Sequence, residues 1–216
     1  PQAMVNESQY GAFAAELGAA DYKLNARFPD GTSAYTFCMC PGGKVVAAAS
    51  EPGGVVTNGM SDFARDGENA NAALLVTLTP EDFPDQGVLG GMYWQREIEQ
   101  AAFRAGGSDY RAPAQRVGDF LARRKSTALG AVVPTYRPGV TLCELHDVLP
   151  ERITSVLEQA LPALDRKLHG FSSPDAVLTA PETRSSSPVR ILRGQDRQSV
   201  GLRGLYPCGE GAGYAG

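Results

Sequence analysis

No stretch of this sequence is apolar for long enough to cross a membrane as a helix, and its opening residues, PQAMVNESQY, lack the charged-then-apolar pattern of a signal peptide. Basic charge is not in excess either. Lys and Arg number 20 against 24 Asp and Glu, for a formal net charge of −4. That balance leaves no electrostatic footprint for nucleic acid. Histidine is scarce, with His146 and His169 alone. Neither has a partner at metal-ligand spacing, and no Ser-His-Asp arrangement can be assembled around them. Cysteine is also sparse. Cys38, Cys40, Cys143 and Cys208 are too few and too scattered for a disulfide scaffold, so reduced thiols and a cytoplasmic location are expected. No fixed-period repeat is visible.

What is present is the composition of a globular protein. Hydrophobic residues make up 43% and charged residues 20% of the 216, enough to bury a core. With 25 Gly and 15 Pro, turns are frequent. Residues 20–79 read as strands cut by turn signals. ADYKLNARF (20–28), AYTFCMC (34–40), KVVAAAS (44–50), VVTNGMS (55–61) and AALLVTLTP (72–80) are separated by PDG, PGG and EPGG. Helices follow over 90–107, over 113–125 with Pro113 in its first turn, and over 150–170. In the last, Ile153, Val156, Leu157, Ala160, Leu161, Leu164 and Leu168 recur at steps of three and four, and Pro162 should kink or divide the helix. Two short apolar runs over 175–193 and a strand over 199–208 return the pattern to β. The expected fold class is α+β: an antiparallel or mixed sheet with a central helical segment and a terminal strand.

Several polar residues qualify as site candidates, each beside a structural alternative. Cys38 and Cys40 stand at i and i+2 on an expected strand, so they should share one face. They fit a redox pair or a ligand wall, or simply two buried apolar side chains. Arg65, Asp66, Asn69 and Asn71 occupy a polar loop, and Asn58 precedes Gly59. They suit a polar substrate, or turn hydrogen bonds to their own backbone. Arg184 and Arg190 flank SSSP, and Arg184 can face an anion or pair loosely with Glu182. The Arg123-Arg124-Lys125 cluster suits a helix C-terminus, as does His169. Tyr93 and Trp94 fall at core spacing with Ile98 and Phe103.

The end of the chain carries the strongest motif. In SVGLRGLYPCGEGAGYAG an apolar segment leads into glycines around Glu210. An acid beside a glycine turn can accept hydrogen bonds from sugar or ribityl hydroxyls, and the glycines permit close approach. GLYPCGEGAGYAG resembles the second FAD-binding motif of the glutathione-reductase-like flavoproteins, with Glu210 where an Asp is usual. AYTFCMCPGGKVVAAASEPGGVVTNGMSDFARDGENANAALLVTL (34–78) and PETRSSSPVRILR (181–193) closely resemble the uncharacterised bacterial FAD-dependent dehydrogenase family. The resemblance covers nearly the whole chain. It implies a substrate-side domain over 1–180 and a return segment, 181–216, toward an FAD-binding domain that the terminal strand would join. It further implies cofactor contacts at Gly209, Glu210, Gly211 and Gly213 and favours an anion contact at Arg184, while Cys38, Cys40 and Arg65 stand as substrate candidates on the residues alone.

Such proteins also carry an N-terminal G-x-G-x-x-G diphosphate cradle; here that spelling occurs once, at Gly211–Gly216 inside the terminal motif itself, and no other precedes it. The chain is therefore expected to be a piece of a longer FAD-dependent oxidoreductase, inert alone, with NAD(P) open as a second cofactor. Its expected partners are the other domains of its polypeptide and a small-molecule substrate. The residues leave two other classes open: a non-catalytic ligand- or partner-binding module, and a thiol-redox protein using Cys38 and Cys40.

Overall fold

The computed structural model describes residues 1–212. The chain divides into two compact units, Pro1–Leu78 with Ile98–Glu182, and Thr79–Glu97 with the residues from Thr183 onward.

The first unit begins with helix α1, Gln2–Tyr10. Its buried Gln2 accepts from Gly42 N–H at 2.7 Å and donates to the carbonyl of Ala20 at 2.9 Å. Strands β1 (Asn25–Arg27), β2 (Ser33–Cys40) and β5 (Asn71–Val76) form an antiparallel sheet in the order β1-β2-β5. β3 (Gly43–Ala47) and β4 (Thr57–Ser61) pair antiparallel with each other. A third sheet, in the order β7-β6-β8, joins β6 (Ala112–Arg116), β7 (Val140–Leu142) and β8 (Val177–Thr179). The β6–β7 pair is parallel and β6–β8 antiparallel, so the architecture is α+β with mixed sheets.

Helix α4 (Glu151–Asp165) organises the core. Val156, Ala160 and Leu164 pack with Leu24, Ala26 and Ala34 of the first sheet. Leu157 and Leu161 pack with Val117, Phe120 and Leu145. The apolar periodicity of the sequence is thus the contact surface itself. Burial of these side chains, at about 1.5–3 kcal/mol each, holds α4 against its weak points. The helix runs undivided through Pro162 to Asp165, which corrects the division expected there.

The helix expected over 113–125 is replaced by β6 and the short α3, Val117–Leu121. Pro113 lies in a strand between two others. Its carbonyl accepts from Ala180 N–H at 3.0 Å, and its missing donor falls beyond the residues paired with β8. Pairing on both sides outweighs the local helix signal. The stretch between α3 and α4, read as irregular, contributes the parallel strand β7.

In the second unit, Thr79 N–H donates to Asp82 Oδ2 at 2.8 Å and opens a 3₁₀ turn. Helix α2 (Gly90–Gly106) runs from this unit into the first. Trp94 meets Phe83 at 5.8 Å between ring centroids, whereas Tyr93 is exposed and not core. Gln95 donates to the carbonyl of Thr183. Beyond Thr179 no further strand forms among the described residues. Arg193, Ser199 and Leu202 make isolated bridges only, so the terminal strand over 199–208 and the second run of 175–193 are both absent. Glycines and Arg-rich turns interrupt the apolar residues there before a ladder can extend. None of the described helices is long and apolar enough to cross a membrane.

Candidate functional site

Strand β2 alternates as expected through Phe37, with Ala34 and Thr36 buried and Tyr35 and Phe37 exposed. It then breaks. Phe37 pairs with Ala73 but Cys40 with Asn71, so β2 spends three residues where β5 spends two. This is a β-bulge, and Cys38 sits in it at φ 46°. A non-glycine residue in the left-handed region is uncommon enough to mark a shaped position. The bulge exposes Cys38 and buries Cys40, so the two thiols do not share a face. Cys40 Sγ donates to the carbonyl of Cys38 at 3.2 Å.

The neighbouring strand fits closely around Cys40. A Cβ on Gly59 of β4 would run into Asn71 Oδ1 and stand 3.0 Å from Cys40 Sγ. Ser61 Oγ donates to the carbonyl of Pro41 at 2.8 Å. Thr57, at the start of β4, holds the carbonyl of Pro181 through its N–H at 2.8 Å and its Oγ1 at 3.0 Å. That anchor brings Glu182 to the cysteine bulge, a neighbourhood the sequence reading missed. Its only local signal was an acid directly after the Ala-Pro step that follows a strand.

The electrostatics of this cluster are uniform. Burial pushes the Glu182 carboxyl up to about 7. Burial, then the nearby Glu182, raises the Cys38 thiol. Burial also raises Cys40, with Ser61 opposing and Cys38 and Glu182 adding. Burial and then Cys40 push Tyr22 up to about 12. A reactive thiol needs a lowered pKa, and both cysteines are shifted the other way. The thiol-redox reading therefore has no support here. Cys143 is likewise pushed up to about 11 by burial.

The PGG turn after Cys40 packs backbone on backbone and is not opened toward a ligand. A Cβ on Gly42, at φ 54°, would collide with the carbonyl of Arg65, and Gly67 N–H donates to Gly42 O at 3.2 Å. Arg65 thus meets the cysteine strand through its main chain while its side chain is exposed. Asp66 is exposed too, Asn69 Nδ2 donates to the carbonyl of Val133 at 2.9 Å, and Asn58 accepts from Gly59 N–H at 2.7 Å. Arg184 is exposed and belongs to the second unit, as does the glycine motif, while Cys38, Cys40 and Arg65 belong to the first.

Gly209–Ala212 form a 3₁₀ turn, with Gly211 O accepting from Ile191 N–H at 2.7 Å. Glu210 is exposed, and a Cβ on Gly209 or Gly211 would meet nothing within 4 Å. The backbone beside the acid is open on that side. These residues fit a hydroxyl-bearing chain such as a ribityl group, while a diphosphate cradle is not among the described residues. Gly213 lies outside the described residues.

A second polar network was assigned no function from sequence. His146 Nδ1 lies 2.5 Å from Glu144 Oε1, and its Nε2 lies 2.9 Å from Glu158 Oε1. Phe120 stacks on the imidazole at 4.5 Å. Arg123 grips Glu158 with two hydrogen bonds of 2.7 and 2.8 Å. Sequence spacing could not reveal it, because the partners come from α4, from the end of α3 and from the turn before α4. Among the described residues no group of three or more His, Cys, Asp and Glu side chains is arranged to hold a metal ion.

With this geometry in view, the sequence defines a class: domains of FAD-dependent proteins. Residues 1–185 match the family described as FAD-dependent protein, C-terminal domain-like, and the chain belongs to that family. The chain is also 48% identical over 219 residues to an uncharacterized protein of Clostridium beijerinckii (strain ATCC 51743 / NCIMB 8052). That match covers 100% of this chain and 41% of the relative, so the chain spans well under half of the relative's length.

Proposed function

We propose that this chain is the substrate-side part of a longer FAD-dependent oxidoreductase of the dehydrogenase type. The observation that carries the reading is Glu210, exposed between two glycines whose backbone is open to a ligand, in a chain whose family is FAD-dependent. In this reading residues 1–180 face the substrate, a small molecule, and 181–216 return toward the FAD-binding part of the same polypeptide. Glu210 accepts a hydrogen bond from a ribityl hydroxyl, and Gly209, Gly211 and Gly213 let the flavin approach. Bound flavin would supply the two-electron chemistry, as hydride, with NAD(P) as the exchange partner.

The chain alone is inert in this reading, because no diphosphate cradle is formed among the described residues. The exposed Cys38 acts as a substrate-facing wall with the buried Cys40 behind it, and the exposed Arg65 offers an anion contact. The cellular location consistent with reduced thiols is the cytoplasm.

The test is Glu210→Ala in the full-length polypeptide. Loss of one hydrogen bond to a charged acceptor should raise the FAD Kd about 10-fold or more. An unchanged Kd removes Glu210 from the flavin site.

A further inference from the structure

Glu182 has no role in the flavin contacts just described, yet the fold places it with care. Thr57 holds the carbonyl of Pro181 with two hydrogen bonds, and Gly59, two residues along the same strand, is where Cys40 Sγ reaches β4. Same-face neighbours on a strand are about 7 Å apart. Pro181 is thus fixed on the strand that Cys40 Sγ approaches, and the charge of the next residue, Glu182, acts on both the Cys38 and the Cys40 thiol.

The titratable groups coupled to Glu182 are the Cys38 and Cys40 thiols of β2; Cys40 in turn is coupled to Ser61 of β4 and to Tyr22, and Arg184 follows two residues along the chain. The Glu182 carboxyl makes no hydrogen bond or ion pair with any described residue. A partly buried carboxylate without a partner is costly, so the group keeps its proton to unusually high pH. A carboxyl that titrates near neutrality both gives and takes protons readily. Asn71 Nδ2, buried in the same cluster, also lacks a hydrogen-bond partner. Two polar groups are thus left open at one place, next to the exposed thiol of Cys38.

We propose that Glu182 is the proton-exchanging residue of a substrate site floored by the Cys38–Cys40 bulge, and that the substrate carries a polarised double bond: C=O, C=N, or C=C conjugated to a carbonyl. This rests on the oxidoreductase function proposed above. In the reducing direction bound flavin would supply hydride to one end of that bond, and the carboxyl of Glu182 gives its proton to the other end. The carboxylate then regains a proton from water. In the oxidising direction the carboxylate takes the proton, and bound flavin would serve as the hydride acceptor. Cys38 stays protonated and lines the site without adding charge.

Two measurements test this. The first uses the 216-residue chain without flavin. Alkylation of Cys38 by iodoacetamide at pH 8 is followed by mass spectrometry, with the exposed Cys208 as internal reference. Glu182→Gln removes the neighbouring negative charge and should speed Cys38 roughly 3-fold or more while Cys208 is unchanged. Equal rates at Cys38 would show that the two groups share no site and overturn the proposal.

The second uses the full-length, flavin-loaded protein, photoreduced without oxygen and mixed with 2-cyclohexenone, benzaldehyde or pyruvate. Reoxidation by at least one is expected, slowing as pH rises through about 7, and about 100-fold slower with a flat pH profile in Glu182→Gln. No reoxidation by any of the three, or equal rates in the variant, overturns this assignment and leaves the flavin function standing. A full-length protein that holds no flavin instead overturns the oxidoreductase function, and this assignment falls with it.

Discussion

At the scale of single residues, two positions concentrate the physics of the cysteine strand. Gly42 is required twice, by its positive φ and by the Arg65 carbonyl where a Cβ would stand. Gly53 also has positive φ, 74°, but open space around it. Gly53→Ala should therefore cost only the conformational term, about 1 kcal/mol, while Gly42→Ala adds an overpacking cost of about 1–3 kcal/mol. Chemical denaturation of both variants checks this, and equal losses would mean that the Gly42–Arg65 contact carries no energy. Glu182 gives a pH signature. Its carboxyl holds a proton up to about 7 when folded but releases it in the ordinary range when unfolded. Between those limits the folded state binds more protons, so this group makes stability fall as pH rises. Glu182→Gln should raise Tm at pH 8 and leave it unchanged at pH 4. A lower Tm at pH 8 would show an ionised, stabilised Glu182. Neither residue's role was fully legible in the sequence. The PGG signal marked a turn correctly, but the partner of Gly42 is more than twenty residues away, and Glu182 meets Cys38 only through the fold.

At the scale of elements, α4 was readable because one helix carries its whole apolar pattern, from Ile153 to Leu164, in consecutive turns. β6 was not, because Ala112–Arg116 has no pattern of its own and becomes a strand only between β7 and β8. The bulge in β2 was hidden for the same reason, since the register of β5 defines it. α4 also anchors the His146 network through Glu158. Arg123 first, and then His146, holds the Glu158 carboxyl below its usual range against the opposing effect of burial. Its contribution is therefore present above the unfolded carboxylate pKa and is lost as pH falls through the lower folded value. Glu158→Gln should cost about 1 kcal/mol or less at pH 7, the scale of a solvent-screened pair, or about 2–4 °C in Tm. The difference from the unsubstituted protein should shrink below pH 4. A difference that persists in acid would assign the loss to packing and not to charge.

At the scale of the whole molecule, the motif most visible in the sequence and the site most visible in the structure belong to different units. The glycine run around Glu210 lies in the second unit, and the bulge with Glu182 lies in the first. Family membership covers residues 1–185, which includes the bulge, Glu182 and Arg184 but stops short of Glu210. We propose that the longer polypeptide holds flavin, with this chain supplying the substrate side and the Glu210 contact. The most direct measurement is a visible absorption spectrum of the full-length polypeptide beside the 216-residue chain, each incubated with FAD and desalted. Flavin bands are expected on the full-length protein, and the 216-residue chain should be colourless. Absence of flavin from both would contradict the proposal.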